Sequence, residues 1–103
     1  MNVNFELYRI FYTVANHGNI TKASEELLIS QPAISKAIKN LEDQLGGQLF
    51  VRTKRGVFLT EEGKEFYNYI ALQGLLLLLL LELLLYYQLV YIFLLLFLLF
   101  LLV

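Results

Sequence analysis

Asn19-Ile20-Thr21-Lys22-Ala23-Ser24-Glu25-Glu26-Leu27-Leu28-Ile29-Ser30-Gln31-Pro32-Ala33-Ile34-Ser35-Lys36-Ala37-Ile38-Lys39 decides the fold, because it reads as two short helices joined by a turn. Its first half puts Ala23, Leu27 and Leu28 on one apolar side. Its second half opens at Ser30, a hydroxyl suited to capping a helix, and Pro32 falls in the first turn, where a missing N–H costs nothing. From there Ile34, Ile38, Leu41 and Leu45 recur at steps of four, three and four, which places them on one buried stripe. The opposite face carries Gln31, Ser35, Lys36 and Lys39, side chains of the kinds that hydrogen-bond base edges and pair with phosphates. Gly46 follows the last apolar position and can take the left-handed conformation that ends a helix. The spacing predicts a helix–turn–helix with helices over residues 20–28 and 31–45.

Upstream, apolar residues at 5, 8, 11, 12 and 15 have helical spacing, and His17-Gly18-Asn19 breaks it. His17 reads as a C-terminal helix residue favoured by the helix dipole rather than as a ligand. Downstream, Leu49-Phe50-Val51-Arg52 and Val57-Phe58-Leu59 are short runs of β-formers separated by Thr53-Lys54-Arg55-Gly56. That pattern predicts a hairpin with a basic tip, a wing. Two adjacent cations beside a helix–turn–helix fit phosphate or minor-groove contact better than a merely solvated turn. Thr60 can then cap a fourth helix, with Glu61 and Glu62 in its positive first turn.

Composition divides the chain sharply. All eight Lys and Arg and eight of the nine acids lie in residues 1–70, whereas residues 75–103 hold 18 Leu in 29 positions and Glu82 as their one charge. The N-terminal part is formally neutral, so it lacks the basic excess that would by itself announce nucleic-acid binding. Distribution matters more: Lys22, Lys36, Lys39, Arg52, Lys54 and Arg55 gather in the motif and the segment after it. The absence of Cys excludes disulfides, thiolate metal sites and Cys nucleophiles. A single His argues against a His-based metal site or a catalytic triad, and no cofactor is expected. Residues 1–7 show no basic stretch followed by an apolar run, so no secretory signal is visible and the domain is expected in the cytoplasm.

At this point residues 3–70 closely resemble the N-terminal winged helix–turn–helix domain of LysR-type transcriptional regulators. The strings that carry the resemblance are Phe11-Tyr12-Thr13-Val14-Ala15, Asn19-Ile20-Thr21-Lys22-Ala23-Ser24, Ile29-Ser30-Gln31-Pro32-Ala33-Ile34-Ser35-Lys36, Ile38-Lys39-Asn40-Leu41-Glu42, Leu45-Gly46, Leu49-Phe50-Val51-Arg52 and Leu59-Thr60-Glu61-Glu62-Gly63. The resemblance implies that Gln31, Pro32, Ala33, Ser35, Lys36 and Lys39 enter the major groove of double-stranded DNA. It implies that Thr21 contacts backbone phosphate and that Arg52 and Arg55 hold the wing on the flanking groove. With Ser30 at the helix start and Lys54 at the wing tip, these complete the expected DNA-binding set. The family also forms homodimers through the helix after the wing, pairing two domains on a palindromic operator. It normally continues into a two-lobed effector-binding domain. Residues 71–103 cannot build such a sensor, so no small-molecule effector site is expected here.

The expected fold is mainly α: a winged helix–turn–helix of three helices plus a β-hairpin wing, followed by a long apolar C-terminal helix. Its divisions are a DNA-binding domain over 1–60, the start of a linker helix over 61–74, and a leucine-rich apolar helix over 75–103. Three readings of the last segment stay open. Residues 83–103 are 21 residues without a charge, enough at about 1.5 Å each to cross roughly 30 Å of hydrocarbon. In that reading membrane lipid is a partner and the domain is held at the inner face of the membrane. The second reading is a dimerisation helix of unusual composition, although Leu on every face specifies no seam. The third is a degenerate end of a regulator.

Together these features imply a sequence-specific DNA-binding transcriptional regulator, either truncated or tethered to a membrane. The alternative is a small membrane protein whose winged helix is a protein-interaction module. An enzyme is not expected: no acid–base pair, Gly-rich phosphate loop or metal-ligand spacing occurs, and Gly46-Gly47 reads as a helix end.

Overall fold

The computed structural model describes residues 5–103. Residues 1–4, which fall in the expected 1–60 domain and in the N-terminus read as lacking a signal, lie outside the described residues. The chain forms two compact units, one up to Ile70 and one over Ala71–Val103. The elements run α1 (Phe5–His17), α2 (Ile20–Leu27), α3 (Gln31–Leu45), β1 (Phe50–Thr53), β2 (Gly56–Leu59) and α4 (Glu61–Leu102), the last beginning in the first unit and continuing through the second. The expected winged helix–turn–helix followed by a long apolar helix is what forms.

The first unit closes around the side chains of α1, α2 and α3. Phe11, Val14, Ile34 and Leu41 are fully buried, with Ile10, Ala23, Leu27, Ala37, Ile38, Leu49, Phe50 and Val57 around them. Phe11 is the hub: its ring centroid lies 5.1 Å from that of Phe50 on β1 and 5.1 Å from that of Phe66 on α4. Tyr12 stacks on Tyr67 at 4.8 Å, and the Tyr67 hydroxyl donates to the Asn16 side-chain oxygen. The first turns of α4 therefore cover α1.

Three apolar positions of these helical spacings stand largely in solvent: Phe5, Leu28 and Leu45, the last of them expected on the buried stripe of α3. On α1 the stripe inferred from residues 5, 8, 11, 12 and 15 is displaced; Leu7, Ile10, Phe11 and Val14 face the core, and Phe5 is 76% exposed. Most of the helix circumference is apolar, so spacing alone leaves two stripes open. The packing of α2 and α3 selects one, and Tyr8 and Tyr12 are left to meet α4. Leu28 does not belong to the α2 stripe. It caps the helix in the left-handed conformation (φ 59°), its N–H bonded to the Ser24 carbonyl, and the reversal turns its side chain out to 88% exposure. Leu45 is 47% exposed, because the apolar stripe of α3 outruns the neighbours that cover Ile34, Ile38 and Leu41.

The left-handed Leu28 gives a direct prediction. A non-glycine residue there meets its own carbonyl, at about 1–2 kcal/mol, and Leu28 loses almost no buried surface on replacement. Leu28→Gly is expected to stabilise the first unit by about 1 kcal/mol. Hydrogen exchange at α2 and α3 amides measures it; unchanged or faster exchange would contradict it.

Helix ends follow the expected capping. Asn19 accepts from the Lys22 N–H at 3.0 Å, Ser30 accepts from the Ala33 N–H at 3.2 Å, and Gly46 ends α3 at φ 78°. Thr60 accepts from the Gly63 N–H at 3.0 Å and donates to the Gln48 carbonyl at 2.6 Å, so one hydroxyl caps α4 and ties it to the approach to the wing. Gly63 is needed at that junction: a Cβ there would sit 2.1 Å from the Leu49 carbonyl oxygen.

The wing is an antiparallel pair with Phe50 opposite Leu59, Val51 opposite Phe58, Arg52 opposite Val57 and Thr53 opposite Gly56. The expected four-residue tip closes to two residues, Lys54 and Arg55. Thr53 accounts for the difference, since its hydroxyl accepts from the Arg55 N–H at 3.1 Å and draws both flanking residues into the ladder.

The second unit is helical to Leu102 and apolar on every side, and its side chains from Leu75 onward are exposed. Among the described residues α4 is the one helix long and apolar enough to cross a membrane, by length and composition.

Candidate nucleic-acid interface

Capping at Ser30 sets where α3 begins, and the burial of Ile34, Ala37, Ile38 and Leu41 sets which side points outward. Gln31, Pro32, Ala33, Lys36 and Lys39 are exposed as a consequence, and Ser35 is half-buried. Lys39 reaches Asp43 at 4.0 Å, with both side chains mostly in solvent, so the pair holds little energy and leaves the ammonium available. Lys22, Lys36, Lys54 and Arg55 make no ion pair among the described residues. Thr21 is exposed in the first turn of α2, beside Lys22.

The wing stands against α3 through polar contacts. The Arg52 guanidinium donates to the Ser35 hydroxyl at 3.1 Å, joining β1 to the outward face of the helix. The Glu42 carboxylate accepts from the Leu49 N–H at 2.7 Å and from the Phe50 N–H at 3.4 Å, anchoring the start of β1 to the last turns of α3. At the other end of the hairpin the Val57 N–H donates to the Gly18 carbonyl at 3.0 Å. The hairpin is thus pinned at its base by Glu42 and close to its tip by the Gly18 carbonyl, and the tip itself, Lys54-Arg55, is solvent-exposed.

Residues 5–64 match the family model described as bacterial regulatory helix-turn-helix protein, lysR family. The chain belongs to the LysR family. It is 45% identical over 69 residues to the RuBisCO operon transcriptional regulator of Allochromatium vinosum, covering 67% of this chain and 23% of that protein. It is 52% identical over 66 residues to the uncharacterized HTH-type transcriptional regulator YoaU of Bacillus subtilis (strain 168), covering 63% and 23%. Among solved structures it is similar to the BenM_DBD/catB site 1 DNA complex, with a TM-score of 0.67 and 38% identity over 76% of this chain and 89% of that one. The chain therefore spans about a quarter of the length of the curated relatives it matches.

Within this LysR-family domain, one supporting residue escaped the sequence reading. Glu42 was given no role of its own in the sequence, yet its carboxylate holds β1 in place. Its partners are backbone N–H groups seven and eight residues on, a tie that leaves no trace in side-chain patterning. Lys22, outside the expected DNA-binding set, is exposed next to Thr21 in the first turn of α2.

Proposed function

We propose that the first unit binds specific sequences of double-stranded DNA and regulates transcription. Residues Gln31, Pro32, Ala33, Ser35, Lys36 and Lys39 of α3 enter the major groove. Arg52, Lys54 and Arg55 of the wing, with Thr21 and Lys22 of α2, hold the backbone, and Ser30 sets the helix start. The observation that carries this reading is the outward face of α3: hydrogen-bonding and cationic side chains beside a pinned, basic wing tip. Its work is in the cytoplasm, as a homodimer through the helix after the wing, with the domain divisions 1–60, 61–74 and 75–103. The uncharged stretch over 83–103 supports a membrane tether. The family match favours DNA over a protein-interaction module as the partner of this surface.

Lys36→Ala and Arg55→Ala separate the two kinds of contact. Lys36→Ala is expected to reduce discrimination between operator and random DNA by about 1–3 kcal/mol. Arg55→Ala is expected to weaken binding to all sequences and to lower the log–log salt slope by about one. Fluorescence anisotropy over a salt series, on a duplex selected from a random pool and on a scrambled one, measures both. If both variants bind both duplexes like the parent, α3 and the wing are not the docking face.

A further inference from the structure

We propose that Ser35 and Arg52 act as one unit that grips a single backbone phosphate between α3 and the wing, with Arg52 setting the direction of the Ser35 hydroxyl. The inference rests on the DNA-binding reading above. It departs from the expectation that Ser35 belongs with the base-contacting residues of α3.

The two residues are 17 apart in sequence and on different elements, joined by the 3.1 Å bond from the Arg52 Nη2 to the Ser35 Oγ. A serine hydroxyl has one O–H and two lone pairs. With a cationic donor on one lone pair, its proton points away from the guanidinium, and Ser35 is left as a hydrogen-bond donor to whatever approaches from outside. One lone pair also remains, but the guanidinium beside it repels the donor hydrogens of cytosine and adenine amino groups, so those are poorer partners than an acceptor. Arg52 itself has spent one of five N–H donors and is exposed, so the rest of its planar fork remains available for an oxyanion.

The surroundings favour an anionic acceptor over a neutral base edge. Ser35 and Arg52 line a cleft of about 310 Å³ between α3 and β1, with Lys39, Gln48, Glu42 and Phe50. Lys39 adds a second positive charge. The acid in the cleft, Glu42, is turned onto the backbone N–H groups of Leu49 and Phe50, which offset its charge. A guanine edge would leave the guanidinium charge unmatched, whereas a phosphodiester takes both the hydroxyl and the fork. In a duplex, the group lying between a helix in one groove and a wing on the next is the phosphate backbone that separates them.

The test uses the full chain in detergent micelles. The parent selects its duplex from a random pool, and Ser35→Ala, Ser35→Thr, Arg52→Ala and the Ser35→Ala/Arg52→Ala pair are titrated on it. The same duplex is then made with one neutral methylphosphonate, walked position by position. Arg52→Ala is expected to weaken binding about tenfold and Ser35→Ala about three- to tenfold. The double variant should bind like Arg52→Ala alone, and Ser35→Thr should restore parental affinity. One methylphosphonate position should cost the parent about tenfold and cost Arg52→Ala little. Repeated selection with Ser35→Ala should return the parental bases. Losses that multiply in the double variant, or a changed base preference for Ser35→Ala, would overturn the clamp and leave DNA binding standing. So would a methylphosphonate series that treats the parent and Arg52→Ala alike, a readout that alters only the DNA and so does not depend on how well a variant folds. A parent that binds no duplex at all would remove the DNA-binding reading and the clamp with it.

Discussion

Phe11→Ala is expected to destabilise the first unit by about 3–5 kcal/mol, the range found when a buried aromatic is truncated in a core that cannot collapse around the gap. Phe11 is fully buried and touches rings from two other elements, Phe50 at the start of the wing and Phe66 on α4. Its removal therefore loosens the wing, α4 and the three-helix core at once. Small domains hold only about 5–15 kcal/mol in total, so the variant is left near its unfolding limit. Amide hydrogen exchange at α3 and β1 in the full chain reads the effect directly. Specific DNA binding should fall with it, because the outward face of α3 is oriented only by its buried side. Phe11→Leu, which keeps an apolar side chain in the cavity, is expected to lie between the parent and Phe11→Ala. Parental protection of α3 amides in Phe11→Ala would show that the hub lies elsewhere.

Placing three acids in the middle of the apolar helix is expected to release the chain from membranes. In the parent, Glu82 lies next to the uncharged stretch over 83–103, where a carboxylate can reach water. An acidic side chain at the centre of a spanning helix costs about 2.5–3.5 kcal/mol, against about 0.3–0.6 kcal/mol gained per central Leu, Ile or Phe. Leu89→Glu, Phe93→Glu and Phe97→Glu together, with Glu82 kept, place about 7.5–10.5 kcal/mol of cost in the stretch and leave no long uncharged run within it. Membranes from cells producing each chain are extracted with carbonate and with urea, and the retained fraction is measured. The parent should resist both, and the triple variant should be depleted from the membrane. Release of the parent by urea, or equal retention of the two chains, would mean that the segment aggregates instead of spanning. The two outcomes differ physically because lipid solvates an all-round apolar helix whose backbone is internally bonded, whereas water does not.

The tail and the motif illustrate opposite limits of reading a sequence. In α3, the cap, the proline, the stripe and the terminal glycine agree, so its bounds and its buried side up to Leu41 were legible, with Leu45 misplaced. In α1 the apolar residues cover too much of the circumference, and the inferred stripe was displaced. In the segment over 83–103 every face is equivalent, and periodicity carries no directional information at all. Legibility followed contrast between faces rather than hydrophobicity itself.

By itself, the sequence determined the order and type of the elements and which polar side chains of α3 face outward. Those properties are local: capping, helical period and turn chemistry act over a few residues, and so they can be read over a few residues. The tertiary structure alone decided that Leu28 turns outward, that Leu45 is left half-covered, that Glu42 anchors β1 and that Arg52 reaches Ser35. Each of these depends on which groups distant in sequence come to lie together, or on where a neighbour stops covering a helix. Such facts are set by the closure of the whole core around Phe11, Ile34 and Leu41, and no window of the chain contains them.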